Sequence, residues 1–186
     1  ELEVFFETAS RIVRQQNPDR VIKPADGDYD PPGHGLPDNH CYCSWYIGHG
    51  LDIGELHKGF WQRVKPGWFY GCGEFGAEGL DPESIMRKYY PREWLPGTAE
   101  EESSWDPDDI VMAQTGRFHY LWFDTQKDVA HWVGASQEHQ EWVIRLMTEA
   151  FRRNSLMNSF AIHLFIDAFP AGCMKSIMDV ERRPKK

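Results

Sequence analysis

The chain has 186 residues, enough to bury one sizeable core, and its acidic side chains outnumber basic ones 29 to 20, giving a net charge of -9. No Lys/Arg-rich block precedes the last few residues, which argues against nucleic acid and anionic membrane as partners. No apolar run approaches the roughly 20 residues of a membrane span, and Glu1 opens straight into a helical pattern without a leader or start Met, which suggests a fragment or processed chain and leaves the compartment unread.

Leu2, Val4, Phe5, Ala9, Ile12 and Val13 recur at helical spacing, and Asn17-Pro18 ends the pattern because the residue before proline resists the α conformation. Val21-Ile22-Lys23 reads as a short strand, followed by a turn-rich polar loop over 26–35 that contains Tyr29. Cys41 to Tyr46 reads as the next strand, with Asp38-Asn39-His40 as its boundary, and Leu51 to Trp61 as a weak helix or irregular excursion. A third strand begins at Trp68. Asp81-Pro82-Glu83 predicts a short helix capped by Asp81, 89–105 a long surface loop, and Asp106-Pro107-Asp108-Asp109 a helix running toward Phe123. His139, Trp142, Val143, Leu146, Met147, Ala150 and Phe151 form one helical stripe, read as core. The last strand spans Ser159 to Ile166. Strands alternate with helical or loop excursions four times without hairpin signals, so the strands near Val21, Cys41, Trp68 and Phe160 are expected to be parallel neighbours in that order.

The stretch from Trp68 to Gly79 carries the strongest chemical signal. An aromatic strand runs into Glu74, a carboxylate held between Gly73 and Gly76, as when a buried strand delivers an acid to a cleft. Glu78 is the rival acid, read as bracing the site or solvated. Eight Trp and eleven Phe, many in Gly- or Pro-containing segments, offer faces that suit sugar rings as well as packing. Cys41, Cys43, Cys72 and Cys173 show no CxxC spacing, and with His40 they do not match a zinc pattern. They are read as free thiols, and no metal or other cofactor is expected.

The ordered set of Asp38-x-His40, Gly73-Glu74-Phe75-Gly76, Phe165-Ile166-Asp167-Ala168-Phe169-Pro170, Met178-Asp179 and Arg182-Arg183-Pro184-Lys185 resembles the C-terminal half of a glycoside hydrolase family 2 catalytic barrel. Within that family it is most similar to the β-mannosidase and exo-β-glucosaminidase branch. The resemblance implies an α/β fold, the C-terminal half of a (β/α)8 TIM barrel, with residues 1–186 supplying strands five to eight and no second domain. It places Glu74 where the family's catalytic nucleophile stands, and His40 at a strand-six histidine. Tyr29, Trp45, His163 and Asp167 are the further expected substrate contacts. His163 stands where the family has Trp, Leu164 where it has Gln, and Ile166 where it has Asn, so mannoside specificity is not carried over. The family's acid/base residue follows an Asn, and no Asn-Glu pair occurs in this chain.

The implied function is a retaining exo-acting β-glycosidase, with this chain carrying the nucleophile half of the site. Its partners would be a β-linked carbohydrate substrate and the missing N-terminal half of its own barrel. The alternative is a non-catalytic carbohydrate-binding protein or inactive barrel fragment, in which Glu74 only accepts hydrogen bonds. An unrelated α/β hydrolase is disfavoured because no Gly-x-Ser-x-Gly occurs and Cys72 lacks an identifiable base.

Overall fold

The computed structural model describes residues 2–20, 22, 38–45, 52–59, 70–166 and 175–186. The chain opens on α1 (Leu2–Gln16), which stops at Asn17-Pro18 as the sequence predicts. Three strands, β1 (Asp38–Cys41), β2 (Tyr70–Phe75) and β3 (Met157–Ile162), form a parallel sheet in the order β1-β2-β3. The fold is therefore mixed α/β, and the expected order of the last three strands is observed. Most of the fourth expected strand, Val21 and Lys23 included, lies outside the described residues, as do Trp68 and Phe69. Ile22 is in neither strand nor helix.

Between β1 and β2 comes the short helix α2 (Ile53–His57), whose N-cap Asp52 accepts from the Gly54 and Glu55 N–H groups. The crossover from β2 to β3 holds α3 (Glu83–Tyr89), α4 (Ala99–Ser104), α5 (Thr115–Phe118) and the long α6 (Val129–Arg153), capped by Asp128. The predicted stripe on α6 is largely the core stripe. Val143, Met147, Ala150 and Phe151 pack with Cys72 and Phe75 of β2 and with Cys41, Cys43, Ile53 and Leu56, while Trp142 is exposed. Phe75 meets Phe151 and Phe160 edge-on, with ring centroids 5.2 and 5.9 Å apart. A second cluster joins the first turns of α6, through Val129 and Trp132, to Leu80, Met86, Trp105, Ile110 and Ala113.

Several boundaries differ from the sequence reading, each for a local reason. The strand expected over Cys41 to Tyr46 lies earlier, at Asp38–Cys41, because the chain turns at Tyr42, where the Trp45 N–H returns to the Tyr42 carbonyl at 3.1 Å. His40 is thus a strand residue rather than a boundary. The strand expected to run to Ile166 ends at Ile162, and Ile166 instead bridges Met178. Asp81 does not cap α3; its carboxylate is buried against Lys185 and Tyr90. The surface loop expected over 89–105 contains α4, started by a capping box in which Thr98 and Glu101 satisfy each other's backbone N–H groups. The single helix expected after Asp106 breaks into a 3-10 turn (Pro107–Asp109), α5 and another 3-10 turn (His119–Leu121). Met112 has a left-handed φ of 74°, which no continuous helix allows.

Candidate active site

Glu74 sits one residue from the C-terminal end of β2, opposite His40 in the β1 register. Cys72 and Phe75 both belong to the core, although an odd spacing would send them to opposite faces of a regular strand. The register irregularity between them resolves this conflict and leaves Glu74 turned away from the core, with its side chain 29% exposed. Gly76 is needed because a Cβ there would lie 2.8 Å from the His163 carbonyl oxygen. The close approach that the flanking glycine predicts is thus made by backbone.

Three neighbouring segments converge on the Glu74 carboxylate. The Tyr42 hydroxyl, on a residue only 3% exposed, donates to Oε2 at 2.5 Å. His40 Nδ1 lies 3.3 Å from the same oxygen, and His163 Nε2 lies 3.9 Å from Oε1. His163 follows β3 directly, and its N–H prolongs the ladder by donating to the Phe75 carbonyl at 2.9 Å. The peptide between His163 and Leu164 is cis. Tyr42 stands edge-on to both imidazoles, with ring centroids 6.3 Å from His40 and 6.2 Å from His163. One oxygen of the carboxylate is therefore fixed by a short hydroxyl hydrogen bond, while the group as a whole stays open to a ligand.

An aromatic wall stands beside this group. Trp45 packs on Tyr42 with centroids 5.2 Å apart, and the Lys175 ammonium lies 3.5 Å from the Trp45 ring centre and 4.9 Å from that of Tyr42. The loop after β2 is held from α6. Gln140 Nε2 donates to the Ala77 carbonyl at 2.9 Å and the Ser176 carbonyl at 3.0 Å, Gln137 Nε2 to the Leu80 carbonyl at 2.8 Å, and Ser136 Oγ accepts from the Leu80 N–H at 3.0 Å. These side chains satisfy the backbone of a fully buried loop, so the segment leaving Glu74 is fixed. Lys185 joins the same region, pairing with Asp81 at 3.0 Å and donating to the Gly79 carbonyl at 2.8 Å.

Of the expected site residues, Glu74, His40, Trp45 and His163 come together. Tyr29 and Asp167 lie outside the described residues. Sequence reading missed Tyr42 and Lys175; for Tyr42 the available signal was an aromatic hydroxyl two residues beyond His40. Glu78 is not solvated, since no part of it is exposed. Burial raises its carboxyl to about 8, against the Gln114 N–H, Trp45, Lys185 and Thr115, which favour the charged form. Cys41, Cys43 and Cys72 are free thiols buried in the core.

The chain is thus a parallel α/β sheet that gathers an acid, two imidazoles and an aromatic wall at its C-terminal ends, and this fold has a counterpart among solved structures. One solved structure with a similar fold is the β-D-mannosidase of Dictyoglomus thermophilum, with a TM-score of 0.54 and 21% sequence identity over 86% of this chain. The match covers 18% of the mannosidase chain, so this chain spans under a fifth of that protein's length. No protein-family model matches the chain, and no curated protein is similar to it.

Proposed function

We propose that the protein is a retaining exo-acting β-glycosidase of family 2 type, in which these 186 residues form the C-terminal half of a (β/α)8 barrel and carry the nucleophile half of the site. The observation that carries this reading is the setting of Glu74: a partly exposed carboxylate at the C-terminal end of a parallel strand, held by the 2.5 Å hydrogen bond from Tyr42. Barrel enzymes collect their catalytic groups at that end. In a retaining mechanism Glu74 Oε1 attacks the anomeric carbon, the aglycone leaves with a proton from a second carboxylic acid about 5 Å away, and water then hydrolyses the glycosyl ester. Tyr42 holds the attacking group in one orientation throughout. His40, His163 and Trp45 would line the pocket for the cleaved sugar, joined by Tyr29 and Asp167. The second acid is expected upstream, after an Asn at the end of strand four, in the half of the barrel that would complete the site.

Chemical rescue tests this assignment. In the intact protein, Glu74→Ala should abolish hydrolysis of an activated aryl β-glycoside, and added azide should restore cleavage and give the glycosyl azide of inverted anomeric configuration. Full activity of Glu74→Ala without azide would remove Glu74 as the nucleophile. Sugar binding by an intact protein that hydrolyses no glycoside would favour the non-catalytic carbohydrate-binding alternative.

A further inference from the structure

We propose that Gln140 is a positioning residue for the Glu74 site: from the core helix α6, its side-chain amide joins the loop that follows Glu74 to the segment that carries Lys175, and so sets the ammonium that stands on the aromatic wall. Only the kinetic part of this proposal rests on the glycosidase reading.

Gln140 is a polar residue on an apolar stripe. It lies three positions before Val143 and seven before Met147, both fully buried in the core, and is itself only 3% exposed. A buried amide is costly unless its hydrogen bonds are made. Here one NH2 group meets three backbone carbonyls, those of Ala77 at 2.9 Å, Ser176 at 3.0 Å and Lys175 at 3.2 Å. The group has two N–H bonds to give, so the three acceptors share them. Ala77 lies three residues after Glu74, and a Cβ on Gly79 would collide with the Gln140 side chain, so the loop runs directly against it. Lys175 and Ser176 arrive on the segment that follows β3.

The contacts close on themselves. With its carbonyl held at Gln140, Lys175 extends its ammonium over the Trp45 ring at 3.5 Å and the Tyr42 ring at 4.9 Å, and the Tyr42 hydroxyl donates to Glu74 at 2.5 Å. Glu74 is thus tied to Gln140 along the chain through Ala77, and across space through Tyr42 and Lys175. A cation interacts with an aromatic face only within about 6 Å of the ring centre, so a displaced Lys175 backbone is felt at the wall. An apolar side chain of the same length at position 140 would fill the core and leave the three carbonyls without this donor. The packing role and the positioning role of Gln140 can therefore be separated.

The experiment uses the intact protein labelled with fluorotryptophan, with the Trp45 resonance assigned by its loss in Trp45→Phe. Lys175→Met should displace that fluorine resonance. Gln140→Met should also displace it while the circular dichroism stays native, and the double variant should lie where Lys175→Met alone puts it. Gln140→Glu decides the matter if Gln140→Met does not fold. Its carboxylate would face three carbonyl oxygens, so the resonance should be displaced at neutral pH; burial favours the protonated form, which donates an O–H and should bring the resonance back at mildly acidic pH. In kinetics on aryl β-glycosides, Lys175→Met and Gln140→Met should each lose about 10- to 100-fold in kcat/KM, as misplaced positioning groups do. The two losses should not add. A Trp45 resonance in folded protein that neither Gln140 variant moves, or that Lys175→Met leaves in place, overturns the proposal whether or not the protein hydrolyses glycosides. Losses that add in full also overturn it. Absence of turnover in the intact unmodified protein, with the resonances moving as expected, would instead overturn the glycosidase reading and leave Gln140 in its positioning role.

Discussion

His139 ties α6 to the turn that carries Tyr42 and Trp45, with Nε2 donating to the Ser44 carbonyl at 2.9 Å. It sits under Trp122 and Trp142, and burial pulls its pKa down to about 4, while the hydrogen bond to Ser44 opposes the fall. The folded state therefore prefers the neutral imidazole, and the unfolded chain takes up a proton first as pH falls from its ordinary value of 6.5. The stability this histidine contributes is complete above 6.5 and lost progressively as pH drops through about 4. Each pKa unit is worth about 1.4 kcal/mol, so the loss is bounded at roughly 3 kcal/mol. His139→Gln should flatten the acid limb of a Tm-against-pH curve; an unchanged slope would remove His139 from the acid sensitivity. The sequence placed His139 on the core stripe without foretelling its partner, because a helical period fixes a face and not what lies opposite. Glu74 was legible for a different reason: an aromatic strand, an acid and two glycines lie together in sequence. Tyr42 was not, because its contact with Glu74 depends on where β1 ends.

The parallel strands were readable from the alternation of apolar runs and helical stretches, and their ends were not. Local chemistry not weighed in that reading decided several of them. The Thr98 to Glu101 capping box made α4, and the φ of 74° at Met112 broke the helix expected after Asp106. Gly76 belongs to the same scale, because it sets how closely the ends of β2 and β3 approach. A methyl group there would meet the His163 carbonyl oxygen at 2.8 Å, and that oxygen belongs to backbone and cannot rotate away. Gly76→Ala should therefore cost about 1–3 kcal/mol, the usual range for overpacking. It should also push His163 away from Glu74, so the denaturation midpoint in urea and the activity of the intact protein should fall together. Loss of stability with kinetics unchanged would show that the strand ends relax without moving the site.

At the scale of the whole molecule, the described chain has surfaces that a complete barrel would be expected to use. Val4, Phe5 and Ile12 of α1 are 65%, 63% and 49% exposed, and β3, at the edge of the described sheet, is made of exposed and half-buried residues. Apolar side chains grouped on one helix face mark a contact surface more often than a solvated one. If, as proposed, an upstream half of a barrel supplies both the covering surface and the second carboxylic acid, the 186-residue chain alone should bind a hydrophobic dye and show essentially no turnover of aryl β-glycosides. General acid assistance is worth about 10²–10⁴-fold by itself, and the sugar pocket would also lack its other wall, so the two defects compound. The intact protein should hydrolyse the same substrates and bind the dye weakly. Co-expressing the upstream half as a separate chain should recover activity if the two halves assemble through these surfaces. Strong turnover by the 186-residue chain alone would mean that the acid/base residue lies within it, and the half-barrel reading would have to be given up.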